Sequence, residues 1–347
     1  MVALPYSSLP LSLGQSTTRR RVAVVLNVNA HKVDDETLAW MRAVVPRQDL
    51  FVSKALDEGQ RIADEIVRRG YEAVMWGGGD GTFSQGVAAL VAASVRRGVD
   101  LPEVGVLRLG TGNAVAYTVG AGPATPRGVM DDLRRARKAK AARTLQLLKV
   151  EERPTVFAGF GLDAQILDDF RKTVDGLRKA RLADAISSAG ARYFLSIATR
   201  SLPRFVLSER VEVVAVNRGS PAVKLNVRGE RMGDPIPQGR VLWRGMASLA
   251  AASTIPYYGL GLKMFPHADK EPGRFQLRLS DAPAAEILAG LPLIWHGRYA
   301  SPRLHDFLVD RVELVVARPS PFQSGGDLVG DRGRVTISLW DRPIAVV

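Results

Sequence analysis

From Arg21 onward the sequence alternates in short units between apolar runs and amphipathic stretches. "RVAVVLNVN" (21–29) reads as a buried strand, "DDETLAWMRAVV" (34–45) as a helix, and "LFVSK" (50–54) as a short strand. "DEGQRIADEIVRRG" (57–70) is helical with a glycine stop, and "YEAVMW" (71–76) is again a strand. A helix over 83–97, a strand "EVGVLRL" (103–109) and a helix from about Asn113 complete the pattern. Strand and helix alternating in this way specify a parallel sheet with helices on both faces, a Rossmann-like α/β domain. Such sheets bind ligands beyond the carboxyl ends of their strands.

After "RRARKAKAARTLQLLKVEE" the character changes. "TVFAGFGL", "RVEVVAVNRG", "KLNVRGE", "RFQLRLSD", "RVELVVARP" and "RVTISLW" are β-like runs separated by Gly, Pro and Asp. They predict a mostly antiparallel β second domain, with one helical interruption at about 164–199. A chain of 347 residues is long enough for two domains. The expected division is a disordered tail over 1–20, an α/β domain over 21–150 and a β-rich domain over 151–347. The last strand is a candidate to return to the first domain.

Without cysteine the chain has no disulfide, thiolate metal site or thiol nucleophile. A formal net charge of +13 favours an anionic partner: a phosphate substrate, a nucleic acid or a membrane surface. No run approaches the ~18 apolar residues of a spanning helix. The basic run "RRARKAKAAR" (134–143) contains no stacking aromatic, and neither a zinc-finger nor an RNP pattern occurs, so nucleic acid is not the expected partner. The four histidines show no metal-ligand spacing.

Two strand ends carry the chemistry. "GGGDGT" (77–82) follows one and "LGTGN" (109–113) the other. Glycine can adopt positive φ, and its missing Cβ lets a ligand approach the backbone. Several N–H groups can then turn toward one point at a helix N-terminus, where the dipole adds positive charge. Asp80 would repel a bare phosphate but makes sense holding Mg²⁺ or orienting a hydroxyl. Thr82 can cap the following helix or bond a phosphate oxygen. The bland alternative for either loop is a tight turn with a capping Asp or Thr. The Walker pattern and the protein-kinase catalytic loop are both missing.

"GGDGT" (78–82) followed by "GTGN" (110–113) resembles the diacylglycerol and sphingosine kinase-like lipid kinases. "VVLNVNA" resembles that family's first strand and loop, "GFGLDAQI" the opening of its second domain, and "PYYGLGLKMFPHADKEPGRF" a later glycine-rich segment. "PFQSGGDLVG" sits where the family has Asp-Gly-Glu. The resemblance, which runs from about residue 21 to 340, implies the NAD kinase/diacylglycerol kinase-like fold. It also implies transfer of the γ-phosphoryl group of ATP, with Mg²⁺, to a lipid hydroxyl, that of diacylglycerol or a related lipid. Carried over by position, Asn27, Ser53, Gly78, Gly79, Asp80, Gly81, Thr82 and onward to Gln85 line the nucleotide, with Gly110, Thr111, Gly112 and Asn113 opposite. Asp163 meets the lipid head, and Asp327 accepts the hydroxyl proton with Asp80 at the reaction centre. The metal ligands stay unassigned.

The departures are specific. Asp-Gly-Glu has become Gly325-Gly326-Asp327, Ala114 replaces an aspartate, and Arg108 stands where a proline is usual. Gln85 replaces a glutamate, Val28 a proline, and the Asp-Gly metal segment reads Pro272-Gly273. Two alternatives follow: a degenerate kinase fold that binds nucleotide or lipid without turnover, and a nicotinamide-dinucleotide kinase, since "GGDGT" is shared with that family. The stretch from Gln165 places Ile166, Phe170, Val174 and Leu177 on one helical face with Arg171, Lys172, Arg178, Lys179 and Arg181 elsewhere. It reads as a core-facing helix or one lying on an anionic bilayer. The expectation is a cytoplasmic protein that associates peripherally with an anionic membrane and can form a homodimer.

Overall fold

A computed structural model describes residues 20–30, 32–54, 58–138, 143–161 and 210–347. Asp163, the basic helical stretch 165–181 and nearly all of the N-terminal tail lie outside the described residues.

The first domain is built on a six-stranded sheet. β1 (Val22–Asn27), β2 (Leu50–Ser53), β3 (Ala73–Gly78) and β4 (Glu103–Arg108) run parallel in the order β2-β1-β3-β4. The connections are α1 (Asp35–Val44), α2 (Glu58–Arg68) and α3 (Asp80–Arg97). Covered on both faces, β3 is buried at every position, which is why "AVMWGG" reads as a continuous run rather than an alternation. Asp34 caps α1 by accepting from the Thr37 N–H at 2.8 Å. Gly98, left-handed at φ 63°, ends α3. After α4 (Ala114–Val119) and α5 (Pro126–Lys138), the short β5 (Arg143–Leu145) closes the sheet's edge.

Residue 148 begins a different sheet. β6 (Leu148–Val150), β7 (Arg153–Thr155), β8 (Phe157–Gly161) and β9 (Val211–Asn217) are followed by β10 (Ala222–Leu225), β11 (Arg231–Ile236), β12 (Val241–Ala247) and β13 (Leu249–Ser253). β14 (Phe275–Ser280), α6 (Ala284–Ala289), α7 (Leu291–Trp295), β15 (Leu304–Val309), β16 (Arg311–Ser324) and β17 (Asp327–Leu339) complete it. All pairings in this twelve-stranded sheet are antiparallel. The expected fold class, a mostly parallel α/β sheet followed by an antiparallel β sheet, therefore holds. The changeover falls between Leu145 and Leu148. β18 (Ile344–Val346) then pairs with β4 and β5, back in the first sheet.

Several local readings differ from the structure. "KLNVRGE" is strand only to Leu225, because Asn226 turns the chain, its Oδ1 accepting from Arg228 and Glu230 N–H at 2.9 Å each. α3 begins at Asp80 rather than at 83. β11 and β13 carried no strand signal, the first being polar and exposed and the second Ala-rich. β13 is a strand because β8 and β14 bond to it on both sides and bury it completely, so context overrides weak propensity. The basic run after Arg134 is partly helix α5, where Arg134 and Arg135 pair with Asp131 and Asp132 at 2.9 and 2.6 Å.

Candidate active site

The two glycine loops meet at the carboxyl edge of the parallel sheet. They pack backbone to backbone: a Cβ on Gly110 would lie 2.5 Å from the Gly79 nitrogen and closer still to its Cα. No glycine between 77 and 112, apart from the helix-ending Gly98, has positive φ. The expected left-handed turns are absent there, and Gly110 is needed for close approach. The one left-handed residue in these loops is Asn113, at φ 56°. It holds that conformation with two bonds of its own, accepting from Gly110 N–H at 3.0 Å and donating to the Gly110 carbonyl at 2.7 Å.

Asp80 sits between the loops and is nearly fully buried, at 8 % exposure. Its carboxylate accepts from the Ala114 and Val115 N–H groups at 3.0 and 2.9 Å. The aspartate of the first loop therefore caps the helix of the second. Burial pushes its pKa up, and the two amides pull against that shift. The two helix starts consequently differ: α4 is closed by Asp80, whereas no side chain caps α3 at Gly79. Thr82 lies in the first turn of α3 and does not cap it. Its Oγ1 accepts from Asn27 Nδ2 at 2.9 Å, tying the end of β1 to α3. Ser53 is Asn27's neighbour in the β1–β2 register, and its carbonyl accepts from Val28.

The second domain reaches this edge twice. The Leu260 N–H donates to the Gly112 carbonyl at 2.7 Å, so the "YYGLGL" turn clasps the second loop with Thr111 beside it. Leu260 is left-handed at φ 61°, a conformation no sequence pattern announced. The other contact is the tip of the long β16–β17 hairpin. Gly325 and Gly326 turn at φ 61° and 87°, where the left-handed backbone favours glycine. That turn delivers Asp327 to the first turn of α3. Gln85 Nε2 donates to Asp327 Oδ2 at 3.2 Å, and the same oxygen lies 2.5 Å from where a Cβ on Gly81 would be. Residues 242 positions apart in sequence thus share one helix terminus, where the dipole favours a carboxylate.

Asn27, Ser53, Gly78, Gly79, Asp80, Gly81, Thr82, Gly110, Thr111, Gly112, Asn113 and Asp327 all fall along this edge. Ser84, inside the range 79–85 carried over from the resemblance, has a buried hydroxyl without a partner that would lie 2.8 Å from a Cβ on Gly325. Glu271, next to the altered Pro272-Gly273 segment, is held by Arg231 and Arg274, each at 2.9 Å. Among the described residues no three His, Asp or Glu side chains cluster as a metal cage. Asp80 begins α3 with both oxygens accepting amide N–H groups, and Asp327 lies against the same first turn; carboxylates so placed suit Mg²⁺ arriving with phosphates rather than a metal held by protein alone.

An α/β domain with paired glycine loops is completed here by a β domain that lends a carboxylate to the same edge. Residues 21–146 match the family described as the diacylglycerol kinase catalytic domain, so the resemblance drawn from the two glycine loops holds over that stretch. "Probable lipid kinase YegS-like" of Citrobacter koseri is 41% identical over 63 residues, and "Probable lipid kinase YegS" of Salmonella arizonae is 44% identical over the same length. Each match covers 18% of this chain and 20% of the relative, so about a fifth of those proteins' length is spanned. A diacylglycerol kinase structure from Bacillus anthracis aligns over 95% of this chain and 98% of its own at a TM-score of 0.62 and 15% identity. A second Bacillus anthracis chain aligns over 96% and 98%, at 0.64 and 14%. These two share the fold.

Proposed function

We propose that this chain transfers the γ-phosphoryl group of ATP to the hydroxyl of a membrane lipid, diacylglycerol or a close relative. The observation that carries the reading is Asp327, brought by the second domain to the open start of α3 beside Gly81. The polyphosphate lies against that uncapped helix terminus, near Asn27, Thr82 and Thr111. Asp327 accepts the proton of the lipid hydroxyl as its oxygen bonds to the γ-phosphorus, and ADP leaves with the electrons of the broken P–O bond. Gln85 holds Asp327 in place. Asp80 keeps the two loops in register, and with Asp327 it would hold Mg²⁺ carried on the nucleotide. Bound there, the ion neutralises phosphate charge.

The +13 formal charge supports recruitment to an anionic bilayer, where the lipid substrate resides. No helix among the described residues is long and apolar enough to cross a membrane. The test is ATP-dependent phosphorylation of a lipid panel in mixed micelles. Asp327→Ala is expected to lower the rate about a hundredfold or more, the usual worth of a general base. An unchanged rate removes Asp327 from the chemistry. A second reading, nucleotide binding without turnover, is favoured by Gly325, by Ala114 and by the engagement of Glu271 in ion pairs. Tight ATP binding with no labelled lipid across the panel would select it.

A further inference from the structure

Two basic side chains meet at the carboxyl edge of the parallel sheet without an acidic partner. Arg108 ends β4 and Lys32 lies in the turn after β1. The Lys32 N–H donates to the Leu109 carbonyl at 3.1 Å, which holds the two loops together. The Arg108 guanidinium lies 3.8 Å over the centre of the Tyr117 ring. That ring is wedged in turn. A Cβ on Gly261 would lie 3.1 Å from the Tyr117 Cζ, and the Tyr257 ring is 5.8 Å away. Among the described residues, neither cation forms an ion pair.

Two like charges so placed repel one another, only weakly because Lys32 is exposed and Arg108 half-buried. Burial pulls the Lys32 pKa down and the Arg108 charge pulls it further. Elsewhere an exposed arginine does pair with a carboxylate, as Arg96 does with Asp64 at 2.7 Å. A stacked guanidinium keeps its N–H edge available, and that planar fork matches phosphate oxygens. We propose that Arg108, positioned by Tyr117 and assisted by Lys32, forms a cationic site for a phosphoryl group at the mouth of the nucleotide loops. Where the family it resembles carries acidic residues the chain has Ala114 and Gly325, and it places a cation, Arg108, nearby. Part of the phosphate charge is therefore balanced by protein, and polyphosphate binding should persist without metal.

The phosphoryl group can belong to a nucleotide or to a phosphorylated lipid; only the first assignment rests on the proposed function. The experiment is calorimetric titration of the full chain, in EDTA, with inorganic tripolyphosphate and with ATP, and sedimentation with phosphatidate-containing vesicles. Arg108→Gln is expected to weaken tripolyphosphate and ATP binding about tenfold or more, the loss typical of a charge-assisted bond. Arg108→Lys and Tyr117→Leu should fall between, and Arg97→Gln, a remote exposed charge, should match wild type. Without ligand, Arg108→Gln should melt close to wild type, because the lost stacking on Tyr117 offsets the relieved like-charge repulsion. A loss confined to the vesicles assigns the site to lipid phosphate. Unchanged binding of all three probes by Arg108→Gln, or no binding by wild type, overturns the proposal. Arg108-dependent tripolyphosphate binding in a protein that phosphorylates no lipid would leave this site standing and remove the kinase reading.

Discussion

A carboxylate inside a glycine turn is tolerable beside phosphate only if other donors claim its lone pairs, and Asp80 meets that condition through two backbone amides of another helix. Asp80→Ala leaves those amides unbonded in a buried place, which costs about 1–3 kcal/mol. Asp80→Asn keeps one acceptor oxygen and removes the charge, so it should lie nearer wild type in urea unfolding at neutral pH; equal losses would discount the cap. The pH dependence has a definite sign. Folding raises the Asp80 pKa, so the native state binds more protons than the unfolded chain once pH exceeds about 3.9. Asp80 therefore lowers stability as pH rises from there through its folded value, and Asp80→Asn should flatten that slope. Activity lost in Asp80→Ala would then report a collapsed loop as readily as missing chemistry. The sequence displayed the aspartate and its glycines but not this role, because capping requires a partner 34 residues away.

At the level of elements, the proposed function depends on a hairpin reaching a helix. The tip of β16–β17 touches α3 through Asp327, and Gly81 makes room for it. Gly81→Ala places a methyl 2.5 Å from Asp327 Oδ2, and the flexible carboxylate end yields before the backbone does. The melting temperature should hardly change while lipid phosphorylation falls by about a hundredfold, the effect of an ångström-scale displacement of a reacting group. A proportional loss of stability and activity would contradict this. Gly110→Ala differs because its methyl meets the Gly79 backbone, which cannot swing away, so both properties should fall. Hydrophobic runs marked β1, β3 and β4 clearly, since strands buried on both faces must be apolar throughout. They could not mark β13, where "LAAAS" gains its strand character from neighbours, nor β11, whose "RMGDPI" is exposed. The hairpin was legible as two β runs; its arrival at α3 was a matter of tertiary geometry, reachable only through the family resemblance.

Across the whole molecule, the chain leaves the first domain after Leu145, builds the large sheet, and returns as β18 between β4 and β5. β18 thus covers the flank of the strand whose end carries Arg108 and the second glycine loop. Ile344 and Val346 are 2 % and 4 % exposed, so the returning strand is core rather than trim. Ile344→Ala should cost about 2–5 kcal/mol and Ile344→Val about 0.5–1.5 kcal/mol, values set by cavity formation. Removing residues 341–347 should do more, by uncovering the edge of β4 and the β5 side together. If β18 supports the site through β4, the truncated chain will lose tripolyphosphate binding although the deleted strand pairs with β4 and β5 rather than with the loops. Its melting should split, the first domain unfolding before the β domain. Wild-type binding by a truncated chain that still melts in one transition would show that the glycine loops hold their register without the return strand.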